Sequence, residues 1–504
     1  MLLSGTDNHI AGLGQMAETL GLHPNIWQGK VGYEGYLNYQ VAALPEILQD
    51  AGYFTTMSGK WHLGMAPNQI PVKRGFDDSF SLLPGAGNHY AYEMSVSFLP
   101  PVYVRNAEYI GYKTLKDFYS TDYFATQLIE SLKSNAMNSR KPFFAYLPFT
   151  APHWPLQAPA DLIAKYKGVY DSGPSALRKT RLENQRKLGL LPSNTFLPSD
   201  GNEDHEWNEL TPEEQAFSAK TMEIYAAMVE RVDVAIGRVV DYLKESEQFE
   251  NTFILFMSDN GAEGVTLEGI PTSTTSQPGE YFNNSYENIG NKDSFIAYGP
   301  QWALAATAPS RMFKGYITEG GIRCPAIVHY PKLHSPLKIS DEFTTVMDIL
   351  PTILELANIS HPGTMFRNRT VVTPRGKSWV PYLLNSDEHK HIHNEYDFTG
   401  WELFGQRAIR RGNYKAILVP NESNTAKWEL YDLSQDKGEL INLAHERKDV
   451  LKELIEAWFA YELETGVIIA EDAWAIRFSS DMVSFKNLQY LSAPFRKRRP
   501  HDEI

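Results

Sequence analysis

Lys60 and His62 stand two positions apart between Gly59 and Gly64, at the end of a short apolar run from Tyr53 to Ser58. Two more apolar runs end in the same manner. Phe143 to Leu147 leads into Phe149-Thr-Ala-Pro-His153, and Thr252 to Met257 leads into Ser258-Asp259-Asn260-Gly261-Ala-Glu263-Gly264. In an open α/β sheet, ligands bind just past the carboxyl ends of the strands. The three runs therefore gather a cation, two imidazoles and a carboxylate-amide pair where chemistry is done. A lysine beside a histidine in an acidic chain suits an anionic substrate group. Asp and Asn oxygens are hard ligands of the kind Ca²⁺ or Mg²⁺ prefers, and the glycines behind them let backbone approach closely. Taken singly, each string also reads as a solvated side chain in a turn, the Asp-Asn pair as an Asx turn. Their recurrence at three strand ends points to a site.

Of the 504 residues, 42% are hydrophobic and 21% charged, an ordinary balance for a globular enzyme of more than one domain. The formal net charge of -14 argues against nucleic acid as a partner. It also makes the lysine and histidine cluster a local exception, which fits an anionic substrate group. With Cys324 the only cysteine, neither an intrachain disulfide nor a Cys-rich zinc module can form. No apolar run approaches the roughly 18 to 20 residues of a membrane span, so no membrane partner is expected. The stretch from Met1 to His9 has neither a basic region nor a long apolar one, and a cytoplasmic location is expected.

The elements that must position these residues alternate between helix and strand. Val41 to Asp50 reads as a helix with Pro45 in its first turn and Gly52 as its stop, and Thr121 to Ser134 as another. Residues 65–116 lack periodicity and read as loops. Residues 160–210 read as a surface insertion, with a basic segment (Arg178 to Lys187) beside an acidic one (Asp200 to Glu206). Thr211-Pro-Glu-Glu214 is a capping box with proline at the first helical position, and the apolar stripe behind it runs to Leu243, with Met228 a core residue. Ala326 to Tyr330 reads as a strand and Thr344 to Asn358 as a helix. Beyond, Gln406 to Ile417 forms a hairpin turned at Gly412-Asn413, Trp428 to Asp432 adds a third antiparallel strand, and Val450 to Leu463 is a covering helix. The expected fold is α/β: a mixed, largely parallel central sheet flanked by helices, with a small C-terminal antiparallel α+β subdomain. The expected boundaries are 1–365, 366–480 and a tail, 481–504.

With these residues placed, the chain resembles the sulfatases of the alkaline-phosphatase-like superfamily, bacterial-type arylsulfatases most of all. The matching stretches are SGTDNHIAGLGQMAE, GYFTTMSGKWHLG, RGFDDSFSLLPGAGNHY, PFFAYLPFTAPHWPLQAP, EIYAAMVERVD, LFMSDNGAEG, APSRMFKGYITEGGIRCPA and TGWELFGQRAIRRGNYKA. The resemblance implies hydrolysis of small-molecule sulfate esters to an alcohol or phenol plus sulfate. It implies that Lys60 and Lys314 neutralise sulfate oxygens, that His153 protonates the leaving oxygen and that His62 orients the nucleophile. It also implies that Asp259 and Asn260 hold one divalent metal, usually Ca²⁺.

One departure stands out. The family's nucleophile, a formylglycine, opens a C/S-x-P-x-R motif just upstream of the stretch equivalent to Met1-Leu-Leu-Ser-Gly-Thr, and no such motif stands there. No nucleophile is therefore assigned, and the metal site lacks the Asp-Asp pair of the strand before it. The expectation is that Met1 is an internal methionine of a longer sulfatase and that the chain as written is inactive, with an apolar sheet edge left open. Cys324 is expected to be a small buried hydrophobe. The alternatives are a non-catalytic relative that still binds an anion, and a phosphoryl or phosphonate ester hydrolase.

Overall fold

The structure, a computed structural model, describes residues 1–91, 101–111, 114–193, 195–197, 207–266, 282–332, 339–384, 391–420 and 425–470. The expected tail, 481–504, and the acidic segment from Asp200 to Glu206 lie outside the described residues.

Five strands make the main sheet: β1 (Phe54–Lys60), β2 (Asp78–Leu82), β3 (Tyr103–Arg105), β4 (Glu108–Ile110) and β5 (Phe143–Tyr146), in the order β4-β3-β2-β1-β5. Its heart is parallel, because β1 runs alongside both β2 and β5, while β3 and β4 add an antiparallel edge. Helices cover both faces. The helix α1 (Leu44–Asp50) buries Leu44, Ile47 and Leu48 on one of them, each burial worth about 1.5–3 kcal/mol. On the other, α2 (Ser120–Asn138) and the end of α3 (Pro212–Glu245) pack Leu128, Leu132 and Leu243 over Phe143 and Ala145. The N-cap of α3 is closed as its sequence requires: Thr211 Oγ1 accepts from the Glu214 N–H at 3.3 Å, and Glu214 Oε2 accepts from the Thr211 N–H at 2.8 Å. Met228 is fully buried in the cluster beneath that helix. Among the described residues no helix is long and apolar enough to cross a membrane.

The structure departs from the sequence reading at three places. Residues 65–116 are not loops throughout, since β2, β3 and β4 lie within them. Serines 79 and 81 are wholly buried in β2, and a polar residue on an inward face hides the apolar alternation by which a strand is read. The segment around residues 160–210 carries two helices, Ala160–Lys165 and Gly173–Lys187, the second holding the whole basic segment. Finally, β6 (Ile254–Met257) does not join the main sheet. It pairs antiparallel with β7 (Ala326–His329) in a separate ribbon, leaving Phe256 42% and Ile327 63% exposed. Among the described residues no strand pairs with the outer edge of β5 or the free edge of β6.

After a short hairpin, β8 (Met365–Phe366) and β9 (Arg369–Thr370), comes a four-stranded antiparallel sheet: β10 (Phe398–Leu403), β11 (Gln406–Arg411), β12 (Tyr414–Leu418) and β13 (Glu429–Asp432). The predicted turn at Gly412-Asn413 joins β11 to β12. The helix α4 (Lys448–Thr465) covers this sheet through Leu454 and Trp458, both fully buried.

Candidate functional site

Lys60 ends β1, and the glycine before it sets where that strand can go. Gly59 has φ +144°, and a Cβ there would stand 2.1 Å from the Pro148 carbonyl oxygen. The bare backbone lets the Lys60 N–H reach that oxygen at 2.8 Å, which draws the loop leaving β5 onto the end of β1. That loop carries His153. His89 holds it from behind: its Nε2–H donates to the His153 carbonyl oxygen at 3.1 Å, and its Nδ1 accepts from Ser120 Oγ at 2.8 Å. Burial pushes the His89 imidazole down to about 4, so it is a neutral strut.

A second pair of glycines brings up the other lysine. A Cβ on Gly261 would stand 1.8 Å from the Gly320 carbonyl oxygen, so the turn after β6 and the Gly320-Gly321 turn meet backbone to backbone. In the same contact the Lys314 N–H donates to the Ala262 carbonyl oxygen at 2.9 Å. The Lys314 ammonium then lies between two partners, 3.1 Å from His153 Nε2 and 2.7 Å from Glu263 Oε2.

The protons in this group can be assigned. His153 Nδ1 lies 2.9 Å from the Trp154 carbonyl oxygen, which can only accept, so Nδ1 carries the hydrogen. Nε2 is then the lone pair that accepts from Lys314. Burial first, then the Lys314 and Lys60 charges, hold the His153 imidazole well below its ordinary range and keep it neutral. Lys60 is shaped by the same forces. Burial and then Lys314 bring its ammonium down to about 8, against the opposing carboxylates of Asp259, Glu18 and Glu263. Among the described residues its Nζ has no hydrogen bond or ion pair. A half-buried ammonium without a partner is unfavourable unless an anion arrives to complete it.

The structure thus brings Lys60, His153 and Lys314 together, and treats the other expected residues differently. His62, at φ +51°, turns its Nε2 to Glu18 at 3.1 Å, with its ring against Gly85, where no Cβ could fit. Asp259 is exposed and its charge reaches Lys60, Tyr146 and Cys324. Asn260 Nδ2 donates to the Gly261 carbonyl oxygen at 2.8 Å. Asp259 and Asn260 fit a hard divalent cation by their oxygens, but a cation of that class takes roughly six to eight. No group of three His, Cys, Asp or Glu able to hold a metal occurs among the described residues. Among the described residues the donor set is therefore incomplete. Cys324 is no nucleophile, for burial and then Asp259 push its thiol up to about 12. A Ser-x-Pro-x-Arg string does occur once, at Ser492 to Arg496, outside the described residues.

Sequence reasoning missed Glu263, His89 and Glu18. Glu263 was visible in the glycine-rich string after β6, but nothing in the string says which cation it meets. His89 lies in a segment without periodicity, and Glu18 precedes its imidazole by 44 positions.

Comparisons with known proteins bear on the family and the fold. The family model described as Sulfatase matches residues 1–359, and one described as N-sulphoglucosamine sulphohydrolase, C-terminal, matches 311–461. An uncharacterised sulfatase of Schizosaccharomyces pombe is 62% identical over 94% of this chain and 86% of its own length. An arylsulfatase of Klebsiella aerogenes is 37% identical over 75% of this chain and 80% of its own. Among solved structures, Ps i-CgsB superposes with a TM-score of 0.61 at 21% identity, covering 95% of this chain and 84% of that one. BT4656, solved with D-glucosamine-2-N,6-O-disulfate as its substrate, gives 0.54 at 19% identity, covering 92% and 87%. At these identities the two structures speak for the fold alone.

Proposed function

The chain belongs to the sulfatase family, whose members hydrolyse sulfate esters, and from that premise we propose that Lys60, Lys314 and His153 form the cradle for the sulfate group of an aryl sulfate. The observation that carries this reading is the Lys60 ammonium, half-buried and without a partner among the described residues. Its charge and that of Lys314 meet the oxygens of a sulfate, over which charge is spread during displacement at sulfur. Lys314 holds His153 Nε2 at 3.1 Å, and Nε2, once it carries a proton, is the ring atom that can give it to the leaving phenol oxygen, since Nδ1–H is bound to the Trp154 carbonyl oxygen. Trp154, half-buried with its ring centroid 4.4 Å from that of His153 and backed by the buried Phe295, offers an apolar face to an aromatic leaving group.

On the same reading His62, held by Glu18, flanks the cradle, and Asp259 with Asn260 contributes part of a divalent metal site, with Ca²⁺ as the expected ion. When bound, such an ion polarises a sulfate oxygen. The 504 residues hold no assigned nucleophile, so they bind aryl sulfates without turning them over. Calorimetric titration with 4-nitrophenyl sulfate, alongside an assay for released 4-nitrophenol, tests both halves. Binding that Lys60→Met abolishes, without phenol release, is expected. Binding that survives Lys60→Met overturns the cradle, and steady phenol release by the purified chain overturns the inactivity.

A further inference from the structure

Glu263 has no part in the reading just given, yet it touches the cradle more closely than any other carboxylate among the described residues. Its two oxygens are both held. Oε1 accepts from the Val265 N–H at 3.1 Å, and Oε2 lies 2.7 Å from Lys314 Nζ. The same Oε2 is 3.9 Å from His153 Nε2, and its charge also reaches Lys60. The carboxylate is therefore fixed at the cradle's edge, only partly exposed, with 21% of its side chain accessible. A salt bridge that merely stabilised the fold would leave the cradle indifferent to it. This one spends part of the charge that is meant for a ligand.

The consequence is a matter of charge count. Lys60 and Lys314 bring two positive charges, His153 is neutral, and Glu263 takes one charge back. These four side chains present a net single positive charge, which the more distant carboxylates of Asp259 and Glu18 lower further. A sulfate monoester carries one negative charge. A phosphate monoester has the same tetrahedral shape but carries close to two above its second pKa of roughly 6. Shape cannot tell these two apart, whereas a fixed negative charge can, because repulsion grows in proportion to the charge of the ligand.

Resting on the sulfate-cradle reading, we propose that Glu263 is a specificity-determining residue that makes the site favour singly charged sulfate esters over doubly charged phosphate esters of the same alcohol. The sense of the effect does not depend on whatever else joins the site. Any metal or further carboxylate shifts the total for both ligands, while removal of the Glu263 charge adds one positive unit that a dianion feels about twice as strongly as a monoanion. A carboxylate 2.7 Å from Lys314 also stands where a bound oxyanion would approach that lysine, so the ligand must share the ammonium with it.

The test compares binding of 4-nitrophenyl sulfate and 4-nitrophenyl phosphate by calorimetry at about pH 7.5, on the full chain, for the native protein and the Glu263→Gln, Glu263→Asp and Lys314→Met variants. Glu263→Gln keeps the shape and removes the charge. It is expected to tighten phosphate ester binding by about tenfold more than sulfate ester binding, whereas Glu263→Asp keeps the native preference. Equal gains for both esters, or no gain, overturn the role of Glu263. Lys314→Met separates the two readings. Loss of sulfate ester binding in that variant leaves the cradle standing whatever Glu263 does, and unchanged binding overturns the cradle itself and the inference with it.

Discussion

Two regions of this molecule use the same side chains to opposite ends. In the cradle, Lys60 has no partner among the described residues and His153 is held neutral by burial and by the charges of Lys314 and Lys60. Where the C-terminal sheet meets the rest of the chain, Lys415 is fully buried and completely engaged, donating to Glu319 Oε1 at 2.8 Å and Glu439 Oε1 at 3.0 Å. His9 is equally enclosed. Its Nδ1 meets Asp7 at 2.8 Å and its Nε2 meets Glu402 at 3.1 Å, while Tyr461 donates to the other oxygen of Asp7 at 2.8 Å. Residue type does not separate site from scaffold here, and neither does burial. The difference is whether the partners of a charge are all supplied by the chain.

The comparison breaks first on stability. Lys415→Met leaves Glu319 and Glu439 buried without their cation, an omission that costs about 3–5 kcal/mol. Lys60→Met removes an unpaired, desolvated ammonium and should leave stability unchanged or higher. Urea unfolding midpoints decide the matter. Equal destabilisation by the two substitutions would show Lys60 to be scaffold as well.

The two histidines differ by pH as well as by place. Burial opposes a charge on His9, but its hydrogen bonds to Asp7 and Glu402 outweigh it and push the imidazole up to about 9. A pKa raised above the ordinary value of roughly 6.5 makes a stabilising contribution that is complete below that value and lost as pH rises through about 9. The size is of order 3 kcal/mol. His9→Gln should therefore flatten the fall of stability between those pH values; an unchanged profile would remove His9 from the ionic scaffold.

Sequence carried much of this and stopped at recognisable points. Lys60 and His153 could be read because each stands just past an apolar run, a position fixed by the strand itself, whereas Lys314 follows no such run and came only with the family resemblance. The long capped helix α3 and the hairpin at Gly412-Asn413 were legible for the same reason, since their signals are local. What stayed hidden depends on separation along the chain: Glu263 with Lys314 across 51 positions, Glu402 with His9 across 393. The isolation of the β6–β7 ribbon was also invisible. Apolar residues record what a strand could bury, not which neighbour is there to bury it.

Anion binding sharpens the comparison further. Lys60 is depressed to about 8 in the folded chain, below its ordinary 10.5, so its charge is a cost to folding that is fully present below about pH 8 and relieved as pH rises toward 10.5. Binding runs the other way. The affinity for 4-nitrophenyl sulfate should fall as pH passes through about 8, by roughly tenfold or more once the ammonium is gone. Lys60→Arg should hold that affinity level to higher pH, and a wild-type affinity constant from pH 7 to 10 would show that Lys60 does not meet the anion.

The smallest expected effect belongs to Asp259, and its smallness is itself informative. Asp259 is exposed and has no hydrogen bond or ion pair among the described residues, so water and salt screen its charge. It still supports the Lys60 ammonium against burial and Lys314. Asp259→Asn should therefore move the pH at which anion affinity falls to a lower value, by less than about one unit, and leave the affinity on the acid side nearly as it was. The same substitution should abolish whatever weak Ca²⁺ binding the turn after β6 provides, expected at the millimolar end of the range for oxygen-ligand sites. A midpoint that does not move, together with tight Ca²⁺ binding lost on substitution, would mean that Asp259 acts through a metal and not through Lys60. The exposed end of the cradle would then have its partner supplied from outside the chain, just as Lys60 does.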